Sequence, residues 1–199
     1  IVSKDADMKD AVSRLAKGGF YHGGQVCVSV QRVFADAEIA KELAAAIAVE
    51  GNKMKIGDPT KADTEVGPLI KPAEVDRVHD WVTAAIDGGA KLISGGERIS
   101  KSCYKPTVLF DPPADAEVSK SEIFGPVICV YPFKDFDEAI NRANSLDVSF
   151  QAAVFTKNLD SALRAYKRLD GTAIMVNDHT AFRVDWMPFA GARHSGHGV

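Results

Sequence analysis

The sequence predicts an α/β fold: an open, mostly parallel sheet with helices on both faces. Two observations carry this. Apolar runs short enough to be strands alternate along the chain with segments of helical periodicity about ten residues long, the pattern of a sheet built from crossover connections. The 199 residues, 46% hydrophobic and 26% charged, also suffice for a domain that buries roughly 70% of the surface its unfolded chain exposes.

Met8, Ala11, Val12, Leu15 and Ala16 recur at helical spacing, with Ser3 or Asp5 as the expected cap and Gly18-Gly19 as the expected stop. A tight connection, Gly23-Gly24-Gln25-Val26-Cys27, leads into the apolar segment 30–34. A second helix then buries Ile39, Leu43, Ala44, Ile47 and Ala48. Residues 54–70 carry Gly57, Asp58, Pro59, Gly67 and Pro68 without period, so they form an irregular excursion. Pro72 opens a third helix striped by Val75, Val78, Val82 and Ile86 and closed by Gly88-Gly89. The alternation continues with strand 91–96, strand 127–133, helix 136–144, strand 151–155, helix 159–169 and strand 172–176. The last stretch, 177–199, is rich in Gly, His and Arg and has no period, where a functional loop is expected.

Composition narrows the function. The net charge is −3 and the 24 Lys and Arg are scattered, so no basic stripe exists to neutralise nucleic acid. No apolar run approaches the roughly 20 residues of a membrane span. The cysteines Cys27, Cys103 and Cys129 are odd in number and match no zinc spacing, which points to a reducing compartment, the cytoplasm. The start lacks both Met and a signal segment and the end is abrupt, so the chain is expected to be a piece of a longer one.

A nucleophilic thiolate needs a partly exposed, polar setting. Cys129, within Val-Ile-Cys-Val-Tyr, reads as a buried strand residue, and Cys103, between Ser102 and Tyr104, as an incidental surface thiol. Cys27 follows a glycine turn whose N–H groups can stabilise an oxyanion. Local composition alone leaves a catalytic and a core-filling Cys27 both open. His22 near Cys27, or His194 and His197, could in principle build a hydrolase or a metal site. Gly196 disfavours a helix there and no carboxylate sits at ligand spacing, so no metal is expected.

Three ordered motifs add to this reading. The segment Gly24-Gln25-Val26-Cys27, with Arg32 five positions after the cysteine, resembles the active-site signature of the aldehyde dehydrogenase superfamily. Glu122-Ile123-Phe124-Gly125-Pro126-Val127 resembles its Glu-x-Phe-Gly-Pro-Val segment, and Pro188-Phe189-Ala190-Gly191 with Ser195-Gly196 its Pro-Phe-Gly-Gly and Ser-Gly elements. The resemblance spans residues 1–199 and implies the catalytic domain of such an enzyme. The dinucleotide-binding domain would lie upstream, and a C-terminal tail would be missing.

The resemblance implies NAD or NADP as cofactor and Cys27 as the nucleophile that forms a thiohemiacetal and then a thioester. Glu122 would hydrogen-bond the nicotinamide ribose, and Phe124 would pack near the ring. Gln25, Val26, Asn177, Arg183 and Phe189 would line the substrate pocket. The general base and an oxyanion-hole asparagine lie upstream in the family, so residues 1–199 alone are expected to be inactive. Arg183 could bind an acidic aldehyde bidentately, against the competing readings of an ion pair with Asp185 or a solvated charge. Val26 offers no second anchor for a phosphate. Two departures stand out: Ala190 in place of a glycine, and Ser149-Phe150-Gln151 where the family has a Tyr-Gly-Leu turn. A homodimer or homotetramer is implied, with the strand at 173–176 near the contacts. Alternatives are a CoA-acylating dehydrogenase, a catalytically silent oligomerisation subunit, or a cofactor-free hydrolase using Cys27.

Overall fold

In the computed structural model, residues 1–198 are described. Helix α1, Met8–Phe20, starts at Asp7, whose carboxylate accepts the Asp10 N–H at 3.1 Å. Such a cap contributes about 1 kcal/mol. Ser3 and Asp5, expected as caps, are engaged elsewhere. The Ser3 N–H bonds the Phe155 carbonyl, and the Asp5 carboxylate accepts from Thr156 and Lys157.

Nor do Gly18 and Gly19 stop the helix, which runs through both to Phe20. A side-chain carbon at Gly19 would lie 2.5 Å from Ile128, and one at Gly18 would lie 2.9 Å from both Val30 and His179. These glycines let the end of α1 press against the sheet, which offsets the roughly 1 kcal/mol each costs in a helix interior.

Strands β1 (Arg32–Asp36), β2 (Lys91–Ser94), β3 (Thr107–Phe110) and β4 (Val127–Phe133) form a sheet in the order β1-β4-β3-β2. β1, β4 and β3 are parallel, and β2 joins the edge antiparallel to β3. β3 was not among the expected strands. The two-stranded pair β5 (Val148–Ser149) with β8 (Ala192–Arg193) is antiparallel, so the tail that reads as loop carries a short strand. A parallel pair, β6 (Gln151–Val154) with β7 (Ala173–Val176), is joined to β1 through Val2, which bridges both Ala35 and Phe155.

Successive residues of the central strands enter different cores, as a sheet covered on both faces requires. Val33, Ala35, Val108, Ile128 and Val130 face α1 and α2 (Ala40–Lys53). Phe34, Leu109, Cys129 and Tyr131 face α3 (Pro72–Asp87) and the neighbourhood of the short α4 (Glu117–Lys120) and α5 (Phe136–Ala143). Of the expected stripe of α2, Leu43, Ala44, Ile47 and Ala48 are buried, whereas Ile39 precedes the helix and is partly buried; Leu43 and Ile47 each contribute about 1.5–3 kcal/mol. Helix α6 (Leu159–Arg168) turns Ala165 toward Val154 and Ile140 in a third, smaller cluster. Among the described residues no helix is long and apolar enough to cross a membrane.

Candidate active site

The chain leaves α1 through a 3-10 turn, Tyr21–Gly24, in which His22, Gly23 and Gly24 take φ of 51°, 64° and 69°. Left-handed backbone over successive residues turns the chain sharply and explains the glycines. At Gly24 space matters too, because a side-chain carbon would fall 2.1 Å from the Gly125 carbonyl oxygen. After the turn the chain is stitched back to α1: the Val30 N–H bonds the Gly18 carbonyl at 3.1 Å, and Ser29 Oγ lies 3.3 Å from the Gly18 and Gly19 carbonyls.

Cys27 is exposed at the tip of this connection. Cys129 lies fully buried in β4, where burial pushes its thiol up to about 12. Cys103 differs from expectation, being buried rather than a surface thiol. Its segment is folded inward by the Cys103 carbonyl, which accepts from Ile99 and Ser100, and by Leu69, which bonds Ser102. Of the three thiols, only Cys27 is open to a substrate.

Gln25 ties the loop to the excursion at 68–70. Its Nε2 donates to the Pro68 carbonyl at 3.2 Å and its Oε1 accepts the Ile70 N–H at 2.8 Å. The structure thus engages its amide with backbone. Val26 and Cys27 line a small cleft of about 60 Å³ together with Glu122 and Phe124. Two elements almost 100 residues apart in sequence therefore meet at the thiol. Partial burial pushes the Glu122 carboxyl above its ordinary range, with Arg77 pulling the other way. Phe124 has φ of 48° and an exposed ring. A bulky residue there is strained, and such strain collects at functional positions.

A larger cavity of about 930 Å³ also reaches Cys27 and is lined by Glu122, Phe150, Thr180 and Phe189. Phe189 packs edge-on to Phe150 with ring centroids 5.0 Å apart. The Arg183 guanidinium lies 4.4 Å from the Phe189 ring centroid, though Arg183 does not itself line the cavity. The ion pair with Asp185 is not formed among the described residues. Asn177 is placed elsewhere: its side-chain amide accepts from the Thr156 N–H at 2.9 Å and donates to the Thr156 carbonyl at 3.0 Å, extending the β6–β7 ladder. At the departure from the family turn, Ser149 is buried and its N–H bonds Ser195 Oγ at 3.1 Å.

Two residues of the site escaped the sequence reading. Thr180 donates its hydroxyl to the Val28 carbonyl at 2.7 Å and so fastens the 177–190 loop beside Cys27. Gln31 makes three hydrogen bonds to the segment that carries Glu122. Thr180 sits in no motif, and Gln31 lies inside the Gly24–Arg32 signature but at none of the positions that define it; the partners of both lie 87 to 152 residues away. Among the described residues no group of three or more His, Cys, Asp or Glu side chains is placed to hold a metal.

The model of the aldehyde dehydrogenase family matches residues 1–199. The chain belongs to the aldehyde dehydrogenase family. It is 36% identical over 198 residues to 3-sulfolactaldehyde dehydrogenase of Priestia aryabhattai, covering 100% of this chain and 41% of that protein. Among solved structures of aldehyde dehydrogenases, that of aldehyde dehydrogenase 21 from Physcomitrella patens in complex with the reaction product succinate superposes with a TM-score of 0.94. The two chains are 35% identical, with 98% of this chain and 41% of that one covered. Glyceraldehyde-3-phosphate dehydrogenase of Methanocaldococcus jannaschii, complexed with NADP, gives a TM-score of 0.94 at 36% identity, covering 99% and 42%. The chain thus spans about two fifths of the length of the relatives it matches.

Proposed function

We propose that this chain is the cysteine-bearing catalytic half of a protein that oxidises an aldehyde to the carboxylic acid with NAD or NADP, using Cys27 as nucleophile. The observation that supports this most is the single cleft lined by Cys27, Glu122 and Phe124. An exposed carboxylate beside a strained, exposed aromatic ring suits the nicotinamide end of a dinucleotide. Glu122 would accept hydrogen bonds from the ribose hydroxyls and Phe124 would support the ring. When bound, the dinucleotide would supply the acceptor for the hydride that leaves the substrate carbon.

The chain's own residues account for the rest of the chemistry it can contribute. The Cys27 thiolate forms an S–C bond to the aldehyde carbon, and the π pair moves onto oxygen. N–H groups of the turn around Cys27 stabilise that oxyanion. After oxidation the acyl group stays on sulfur as a thioester; water adds to it, the C–S bond breaks, and the acid leaves with the thiol restored. The general base for the water step and the remaining dinucleotide contacts are assigned to the part of the whole protein outside this chain.

The substrate is proposed to be a small aldehyde bearing an anionic group. The relatives' names carry a sulfonate, a carboxylate product and a phosphate. Arg183, which has no carboxylate partner among the described residues, stacks on a ring that lines the cavity. Val176, exposed on β7, supports assembly of a homo-oligomer through that strand.

The test is to trap the intermediate. The full-length protein is mixed with aldehyde and NAD or NADP, quenched in acid and digested. The Cys27 peptide is expected to carry the aldehyde's mass less that of H₂; turnover with an adduct on another residue, or with none, contradicts the proposal.

A further inference from the structure

Gln31 lies at the entry to β1, four residues beyond Cys27. Its own backbone is fixed by the sheet, because its carbonyl accepts the Cys129 N–H at 2.8 Å. Its side chain reaches across to the segment before β4. Nε2 donates to the carbonyls of Val118 (3.1 Å) and Ser121 (2.8 Å), and Oε1 accepts the N–H of Ile123 (2.9 Å). One amide thereby holds the backbone on both sides of Glu122.

Glu122 is placed through its backbone alone. Its carboxylate makes no hydrogen bond and no ion pair within 4.0 Å among the described residues, so its position is inherited from its backbone. Gln31 lines the same cleft as Cys27, Glu122 and Phe124. From the far side Arg77 donates to the Ile123 carbonyl at 2.7 Å and stacks on Trp81 at 4.5 Å. The segment is thus clamped between β1 and α3, and the clamp holds Phe124 at its φ of 48°.

We infer that Gln31 is a positioning residue, which sets Glu122 and Phe124 relative to the nucleophile and so tunes dinucleotide binding without touching the reacting atoms. This rests on the proposed function for the role of Glu122. A glutamine suits the task because it supplies two donors and an acceptor on one planar group. The segment that leads from the nucleophile into β1 thus also positions the cofactor side.

The test uses the full-length protein and the isosteric variant Gln31→Met, which keeps volume and loses all three bonds. Expected are faster amide exchange over residues 121–125 and a KM for NAD or NADP raised about tenfold. Cofactor-independent alkylation of Cys27 by iodoacetamide should stay within about twofold, since the thiol itself is not moved. Gln31→Glu keeps an acceptor for Ile123 but sets a carboxylate oxygen against the Val118 and Ser121 carbonyls; it should shift exchange and KM in the same direction, and it provides the same test if Gln31→Met does not fold. Unchanged exchange and KM in a folded variant, or alkylation slowed in step with KM, overturn the inference while leaving the proposed function standing. A wild-type protein that binds neither dinucleotide overturns the proposed function and the inference with it.

Discussion

Gly24 and Gly125 touch backbone to backbone: a side-chain carbon on Gly24 would stand 2.1 Å from the Gly125 carbonyl oxygen and 2.4 Å from its carbon. The turn before the nucleophile and the loop after Phe124 are therefore packed more closely than any side chain permits. Gly24→Ala should cost about 3 kcal/mol or more, from the clash together with its φ of 69°. Gly23→Ala is the control, with a similar φ of 64° but no atom nearer than 3.4 Å, and should cost only about 1 kcal/mol. Urea midpoints of the two variants compare them; equal losses would show that conformation rather than contact governs the turn.

Phe124 offers a second test of strain. At φ 48° glycine is favoured over alanine, the reverse of the usual order, so Phe124→Gly should be more stable than Phe124→Ala by about 1 kcal/mol. Both variants lose the ring and should raise the KM for the dinucleotide. Denaturant titration and initial rates measure the two effects separately.

Thiol chemistry should follow burial. Iodoacetamide applied briefly to the folded protein should label Cys27, which is exposed, and spare Cys103 and Cys129, which are buried. The Cys129 thiol, pushed up to about 12 by burial, stays protonated at neutral pH. Peptide mass spectrometry reads the sites, and labelling of Cys103 ahead of Cys27 would contradict the placement of both.

His179 links stability to pH. Burial lowers its pKa, opposed by Asp178 and assisted by Lys17 and Arg14, and its Nδ1 accepts the Ala181 N–H at 3.1 Å. The folded state therefore binds this proton less readily than the unfolded one. Stability should be full above about pH 6.5, the ordinary histidine value, and decline as pH falls toward the lower folded pKa. The difference between wild type and His179→Gln, followed by urea midpoints from about pH 7.5 down to 5, should narrow with acid; a constant difference would show that His179 does not carry the effect.

Elements with a long period were legible in the sequence, and so was the division of the sheet into two buried faces. The stripes of α2 and α3 lie largely where the spacing puts them, except that Ile39 precedes α2 and Ala85 rather than Ile86 is the buried residue at the end of α3. β3 was missed because Thr-Val-Leu-Phe is a short apolar run between prolines, with no alternation to mark it. Gly18 and Gly19 were misread because a local stop signal and a close-packing requirement use the same residue. Of the site, the turn at Cys27 and the Glu122–Phe124 segment could be read, since glycine and motif spacing are local. The positive φ of Phe124, the inward fold of Cys103 and the bonds of Gln31, Asn177 and Thr180 could not, because each is set by partners distant in sequence.

The most direct test of the account is NAD(P)H formation by the full-length protein with small neutral and anionic aldehydes, wild type beside Cys27→Ala. The account predicts turnover by the wild type, fastest with the anionic aldehydes, and a loss of at least about 10³-fold in Cys27→Ala. Full activity in Cys27→Ala would contradict it.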